Sequence, residues 1–259
     1  MAEQTARGRV AIVTGASRQR GIGAAICLAL ADAGTNILFT HWAAYDRAQN
    51  LIEPGDGPPA LRTAIEARGV RCADLAIDLA DPAAAGPILD AAARLGPPRI
   101  LVNNATHSVN DGYAALDAAG LDAHYAVNMR GTMLLSAAFA RRYPGGPGGR
   151  IITLTSGQNL GPMPDELAYG ATKAALIAFT TSLAAALGPR GITVNAVNPG
   201  PTDTGWMTDD LKRALLPRFP SDRLGQPEDA ARLVAFLASP AAAWITGQTI
   251  NSEGGFLRT

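Results

Sequence analysis

Arg9-Val-Ala-Ile-Val-Thr-Gly-Ala-Ser-Arg-Gln-Arg-Gly-Ile-Gly23 passes from a β-branched apolar run through a glycine-rich turn into Ala24-Ala-Ile-Cys-Leu-Ala-Leu30, which has helical period. Glycines at a strand-to-helix turn let the backbone approach a pyrophosphate closely, and the free N–H groups and positive dipole end of the helix attract its charge. Gly15, Gly21 and Gly23 form the expected cradle, with Ser17, Arg18, Arg20 and Ile22 on the same turn. Such a turn can also be a tight connection that binds nothing, so its meaning depends on the rest of the chain.

Outward from this turn, further short apolar runs at 36–40, 99–102, 150–154 and 192–197 read as buried parallel strands. Between them lie segments of helical period near 21–33, 60–68, 83–94, 114–142, 169–187 and 227–238. Strand–helix alternation predicts an α/β fold: a single-domain, Rossmann-like doubly wound parallel sheet with helices on both faces. Gly34 closes the first helix, and Pro144-Gly-Gly-Pro-Gly-Gly149 cannot continue the long middle one. Residues 41–59, with Pro54-Gly-Asp-Gly-Pro-Pro59, read as a long polar loop.

Of the 259 residues 47% are hydrophobic, enough to close one substantial core, so a single domain over 1–259 is expected. Lys plus Arg (22) equals Asp plus Glu (22), which gives no electrostatic case for nucleic acid or an anionic membrane. Met1-Ala-Glu-Gln-Thr-Ala-Arg-Gly-Arg-Val10 lacks a signal-peptide core, and no apolar run is read as a membrane span, so a cytoplasmic protein is expected. Cys27 and Cys72 read as free thiols, and neither they nor the three histidines have metal-ligand spacing, so no metal is assigned. Lys173 and Lys212 are the only lysines, which leaves two candidates for a mechanistic amine.

Ligands of such sheets bind at the carboxyl ends of the strands, where Asp78 with Leu79 and Asn103-Asn104-Ala105 fall. Binders of NAD usually end the second strand with a carboxylate for the ribose 2′-hydroxyl, but here the sequence is Phe39-Thr-His-Trp42. With Arg18, Arg20, His41 and Arg47 on nearby segments, NADP is the expected coenzyme and NAD the less favoured one.

The strand at 150–154 leads to Thr155-Ser-Gly157, and Tyr169-Gly-Ala-Thr-Lys173 opens a helix. Residues four apart share a helical face, so the ammonium of Lys173 can favour the phenolate of Tyr169. A free tyrosine titrates at about 10, too high for efficient proton transfer near neutrality. Alone, the same spacing also fits one core tyrosine and one surface lysine.

The turn at 14–23, Asp78, Asn103-Asn-Ala105, Asn128, Ser156, Tyr169 with Lys173, and Asn198-Pro-Gly200 occur in this order. By these motifs the chain resembles the short-chain dehydrogenase/reductase family along essentially its whole length, with a global look nearest to 3-oxoacyl carrier-protein reductase-like members. The resemblance implies a hydride transfer between a nicotinamide coenzyme and a small-molecule ketone or secondary alcohol. It makes Tyr169 the acid/base, has Ser156 orient the carbonyl oxygen, has Lys173 also bind the nicotinamide ribose, and gives Asn128 a water in a proton relay. It places Pro199, Gly200, Thr202 and Thr204 along the nicotinamide, and a lid over 201–222 whose Trp206, Met207, Leu211, Leu215 and Phe219 offer an apolar cover. It also implies a dinucleotide half over about 1–110, a catalytic and substrate half over about 111–259, and a homotetramer joined partly through the tail from Trp244 to Phe256.

Two features depart from the family. Five residues separate Gly15 from Gly21 where three are usual, a spacing similar to the divergent enoyl-thioester reductases, and Thr106 follows Asn-Asn-Ala where glycine is usual. Enoyl reduction is therefore an alternative, although those enzymes commonly leave six residues between tyrosine and lysine and this chain leaves three. A non-catalytic dinucleotide-binding regulator is a second alternative, and a purely structural protein a third. Asp165, Glu166, Asp203, Asp209 and Asp210 lie on expected substrate-facing segments and point either to a neutral or cationic substrate or to solvated surface.

Overall fold

The computed structural model describes residues 8–48 and 56–258. Val10–Val13 (β1) leads through the glycine turn to Ile22–Asp32 (α1) and Asn36–His41 (β2). Ala43–Ala48 (α2), Pro58–Glu66 (α3), Cys72–Ala76 (β3), Ala85–Ala93 (α4) and Pro98–Asn103 (β4) follow. The second half holds Gly112–Ala115 (α5), Ala118–His124 (α6), Thr132–Arg142 (α7), Gly149–Leu154 (β5), Leu167–Leu187 (α8), Ile192–Asn198 (β6), Asp209–Leu215 (α9), Pro227–Ala238 (α10) and Thr249–Asn251 (β7). Seven strands form one sheet in the order β3-β2-β1-β4-β5-β6-β7, every pair parallel. The order reverses between β1 and β4, and the crevice at that reversal, outside the strand carboxyl ends, is where such sheets bind ligands.

Successive side chains on each strand feed opposite layers of core. Ala11, Val13, Ile37, Phe39, Ile100 and Val102 meet Ile26 and Leu30 of α1 and Val234 and Leu237 of α10. Val10, Ile12, Leu38, Leu101 and Ile151 meet Ile88 of α4, Leu135 and Phe139 of α7, and Leu187 of α8. Burial on both faces explains why the strands read as unbroken apolar runs, and each fully buried Ile or Leu contributes about 1.5–3 kcal/mol. Cys27 and Cys72 are free, as expected, and both are buried.

Three expectations change. The segment 41–59 is not all loop, because α2 occupies Ala43–Ala48 and α3 starts at Pro58, where a fixed φ and a missing N–H suit the first helical turn. Residues 49–55 lie outside the described residues. The helix expected over 114–142 is broken into α5, α6, a π-helical stretch Tyr125–Gly131, and α7. The Asp117 carboxylate restarts the chain by accepting from the Gly120 N–H at 2.7 Å, and the wide stretch ends at Gly131, where a Cβ would lie 2.5 Å from the Leu79 carbonyl oxygen. Finally, α8 with its C-terminal turn, Leu167–Arg190, is long and apolar enough to cross a membrane by length and composition, with mean hydropathy 1.3. In this fold it lies along β6 with Thr172, Lys173, Leu176 and Thr180 buried.

Candidate active site

A continuous cleft of about 1410 Å³ runs along the carboxyl ends of the strands from the glycine turn to the C-terminal tail. At its first end Gly15 holds φ +71°, and a Cβ there would lie 2.6 Å from Cα of Ala105. A Cβ on Gly23 would lie 2.7 Å from Nδ2 of Asn104 and from the Gly15 carbonyl. Asn104 Nδ2 donates to the carbonyls of Thr14 and Gly15, both at 2.9 Å, while the Thr14 hydroxyl accepts from the N–H groups of Asn104 and Ala105, both at 3.0 Å. The Asn-Asn-Ala segment therefore braces the turn, and only glycine fits where the two backbones meet.

Gly15, Ser17, Arg18, Gly21, Ile22, Gly23, His41, Asp78, Leu79, Asn104 and Ala105 all line the cleft. Asp78 shapes it by accepting from the Ala80 N–H at 2.8 Å. Arg20 is exposed outside it, with Nη2 4.0 Å from the Asp203 carboxylate, and Arg47 is exposed on α2. No carboxylate ends β2, as expected, but one reaches this end from another segment. The helix α2, in the segment read as loop, folds Asp46 back into the wall, where it is buried and 3.5 Å from Arg18 Nε. Asp74 on β3 meets Nε2 of His41 at 3.2 Å. Arg18 also donates to the Thr204 carbonyl at 3.0 Å, so the lengthened turn reaches across the cleft to the lid segment.

Ser156 and Tyr169 line the same cleft further along, with Pro199, Gly200, Thr202 and Thr204 opposite. Gly200 needs its φ of +64°, and a Cβ there would overlap Glu253. Lys173 is buried on the same face of α8 as Tyr169, with Nζ 5.5 Å from the tyrosine ring centre and donating to the Leu154 carbonyl at 2.8 Å. Desolvation alone pulls its ammonium down to about 8. Burial pushes the Tyr169 hydroxyl up to about 12, against a hydrogen bond from Ser156 that lowers it and with the Glu166 carboxylate adding to the rise. Lys173 is not among the groups that shift the tyrosine in the protein alone, where its ammonium donates to the Leu154 carbonyl, so the lowering that the spacing suggests is not realised there.

Asn128 lies fully buried in the π-helical stretch, behind the cleft wall. Its Oδ1 accepts from the His107 N–H at 2.7 Å and the Thr106 hydroxyl at 3.1 Å, and its Nδ2 donates to the His107 carbonyl at 2.9 Å and the Thr172 hydroxyl at 3.0 Å. All four bonds of the amide are used, so its side chain ties the 106–112 loop to α8 and has no capacity left for a water. Thr106, the departure from the usual glycine, supplies one of them. Within the lid, Trp206, Leu211 and Leu215 line the cleft, whereas Met207 is buried in packing and Phe219 sits against Phe256, ring centres 5.0 Å apart.

Sequence reasoning missed four contributors. Tyr45 on α2 lines the cleft, donates to the Ser108 carbonyl at 3.1 Å and faces His107, ring centres 5.6 Å apart. Asp111 caps α8 from a distant loop, accepting from Leu167 and Ala168 N–H groups at 2.7 and 2.8 Å. Arg218 and Arg258 line the far end. None has a local signature, since each works through contacts distant in sequence. His107 lines the cleft too, its imidazole held below the ordinary range by burial and by His124.

The residues fit a dinucleotide on two structural grounds. The cradle at Gly15 and Gly23 is one that a Cβ would fill, and two buried atoms on the wall, His41 Nδ1 and Thr155 Oγ1, have no protein partner. Comparison with known proteins agrees. Residues 15–257 match the family model described as enoyl-(acyl carrier protein) reductase. The chain is 54% identical to the uncharacterized oxidoreductase YjdA of Bacillus subtilis, covering 96% of this chain and 97% of that one. It is 37% identical to the 3-oxoacyl-[acyl-carrier-protein] reductase FabG of Pseudomonas aeruginosa, covering 96% and 97%. A crystal structure of a short-chain dehydrogenase from Burkholderia cenocepacia in complex with NADP superposes with TM-score 0.85 at 37% identity, covering 97% and 99%. The fold and site are those of an oxidoreductase, and the chain belongs to the short-chain dehydrogenase/reductase family.

Proposed function

We propose that this protein is an NADPH-dependent ketoreductase, moving hydride between the nicotinamide and a ketone or secondary alcohol. The observation that carries this reading is the Ser156–Tyr169 hydroxyl pair, set in the same cleft as the glycine cradle with Lys173 one helical turn behind. The coenzyme, when bound, supplies the hydride. Gly15, Gly21, Gly23 and the start of α1 would hold its pyrophosphate, Asp78, Leu79, Asn104 and Ala105 its adenosine half, and Lys173 with Pro199, Gly200, Thr202 and Thr204 its nicotinamide half. Ser156 orients the carbonyl oxygen, and Tyr169 donates a proton to it as negative charge develops. Lys173, one turn behind on the same helical face, is the cation that would favour the phenolate left behind.

NADP preference is supported by the unpartnered His41 Nδ1, by Arg18, which lines the same cleft while paired with Asp46, and by NADP(H) in two solved relatives. A cytoplasmic homotetramer is part of the same proposal. Its support is an exposed alanine face of α8, Ala171, Ala174 and Ala178, and Trp244, which is 98% exposed.

Reduction of a carbon–carbon double bond is the second reading, favoured by the lengthened glycine turn and the description of the matching family model. The placement of Tyr169 and Lys173 on one face of α8 favours the carbonyl reading over it. The test is oxidation of NADPH and NADH with matched ketones and enoyl thioesters. Turnover of ketones with NADPH, abolished in Tyr169→Phe while NADPH still binds, is the expected result. Turnover of enoyl thioesters alone selects the second reading, and NADPH binding without any turnover selects a regulator.

A further inference from the structure

We propose that the substrate carries an anionic group, a carboxylate or a phosphate monoester, which Arg218 binds at the lid-and-tail end of the cleft with Arg258 beside it. This rests on the ketoreductase reading and names the class of ketone.

The carboxylates expected to face the substrate do not create a negative site. Asp203 pairs with Lys212 at 2.8 Å, and Asp210 pairs with Arg213. Asp165 and Asp209 are exposed, and none of these four lines the cleft. Only Glu166 does, and burial followed by the nearby Asp111 charge pushes its carboxyl up, toward the neutral form.

The lid-and-tail end of the cleft carries two guanidiniums, Arg218 and Arg258. Arg258 packs against Gly157 and Gly161, where Cβ atoms would intrude on its side chain, so the guanidinium stands beside the residue that follows Ser156. It is paired with Glu253, whose Oε2 also accepts from Asn198 Nδ2 at 2.8 Å. The ring of Phe256 lies near both guanidiniums, 5.3 Å from Arg258 Cζ and 6.0 Å from Arg218 Cζ. Arg218 is exposed into the cleft and has no carboxylate partner among the described residues. Among the described residues, two guanidiniums share one carboxylate at this end. Stacking on an aromatic ring steadies a guanidinium while leaving its N–H edge free, and that planar fork matches carboxylate and phosphate oxygens. The same cleft holds Ser156, Tyr169 and Arg218, and the proposal requires a ligand whose carbonyl reaches the hydroxyl pair while its anion reaches Arg218.

The test compares matched pairs with the full-length protein and NADPH: levulinate against methyl levulinate, and dihydroxyacetone phosphate against dihydroxyacetone. At low ionic strength kcat/KM should favour the anion about tenfold in at least one pair, which also tells carboxylate from phosphate. Arg218→Gln should bring that ratio toward one, and Arg218→Lys should restore it only in part. A ratio of one or less in both pairs, or a ratio unchanged in Arg218→Gln, overturns the proposal. Calorimetric titration with succinate and succinamide reads the preference without turnover. Tighter binding of succinate by a protein that reduces no ketone keeps this proposal and removes the ketoreductase reading, whereas equal binding of both removes this one.

Discussion

Asp111 accepts the backbone N–H of Ala168 at 2.8 Å although 57 residues separate them, so the helix that carries Tyr169 and Lys173 is capped from the loop beside the substrate end. The N–H of Leu167 completes the bidentate cap at 2.7 Å, and that of Gly112 adds a third donor at 2.6 Å. Desolvation opposes the charge, but these three donors outweigh it and hold the Asp111 carboxyl below its ordinary range. Asp111→Ala should lower unfolding free energy by about 1–3 kcal/mol in urea melts and reduce kcat more than it raises KM. A carboxyl with a depressed value stabilises above its unfolded pKa of about 4 and loses that contribution as pH falls below it. The wild-type advantage over Asp111→Ala should therefore shrink from pH 6 to pH 3, and an advantage that holds constant contradicts the charged cap.

Much of this arrangement was legible in the chain. Burial on both faces gave β1, β2, β4, β5 and β6 their apolar runs, and the glycine turn needs only local backbone geometry to be recognised. Tyr169 and Lys173 share a face because helical spacing dictates it. Asp111 was silent, because a helix cap recruited from another loop leaves no pattern near the helix it caps. Asp46 was hidden for a related reason: a six-residue helix in a polar segment has too short a period to read, and its fold-back into the wall is tertiary. The division of 114–142 depended on the approach of the Leu79 carbonyl to Gly131, a contact between distant segments.

Gly15→Ala should cost coenzyme binding. The added Cβ would meet Ala105 at 2.6 Å from its Cα, on a backbone at φ +71° that L side chains rarely adopt. Relief requires moving either the turn or the Asn104–Ala105 segment, both of which line the cradle. At a strain of about 1–3 kcal/mol, the Kd for NADPH should rise by about 5- to 150-fold in a fluorescence titration. Gly145→Ala, at another positive φ but with nothing within 4 Å, is the control for backbone strain alone and should leave that Kd unchanged.

Asn128→Ala would strip partners from the His107 N–H and carbonyl and from the hydroxyls of Thr106 and Thr172 at once. Unsatisfied buried groups are costly, and the expected loss is about 2–4 kcal/mol of stability. Because Thr172 neighbours Lys173 and His107 lines the cleft, kcat should also fall. Asn128→Asp keeps the acceptor side but sets a buried carboxylate oxygen against the His107 carbonyl, so near neutral pH it should melt well below wild type. Wild-type stability in Asn128→Ala would show that the loop and α8 hold together without this amide.

Lys173 sets a sign on the pH dependence of stability in the coenzyme-free protein. Its ammonium titrates at about 8 in the fold against 10.5 when free, because burial penalises the charge. Below about 8 both states hold the proton. Between about 8 and 10.5 only the unfolded chain does, so the unfolded state binds more protons and stability rises with pH through that window. The full gain is about 3 kcal/mol. Tyr169 and Cys72, each pushed up to about 12 by burial, act in the other direction, since unfolding lets them ionise earlier, from about pH 9 for the cysteine and 10 for the tyrosine. The readout is therefore a difference: wild type minus Lys173→Met, whose unfolding free energies in urea should converge or cross as pH rises from 7.5 to 9.5. A difference that stays flat over that range would mean the buried ammonium keeps its proton, with the Leu154 carbonyl compensating its desolvation.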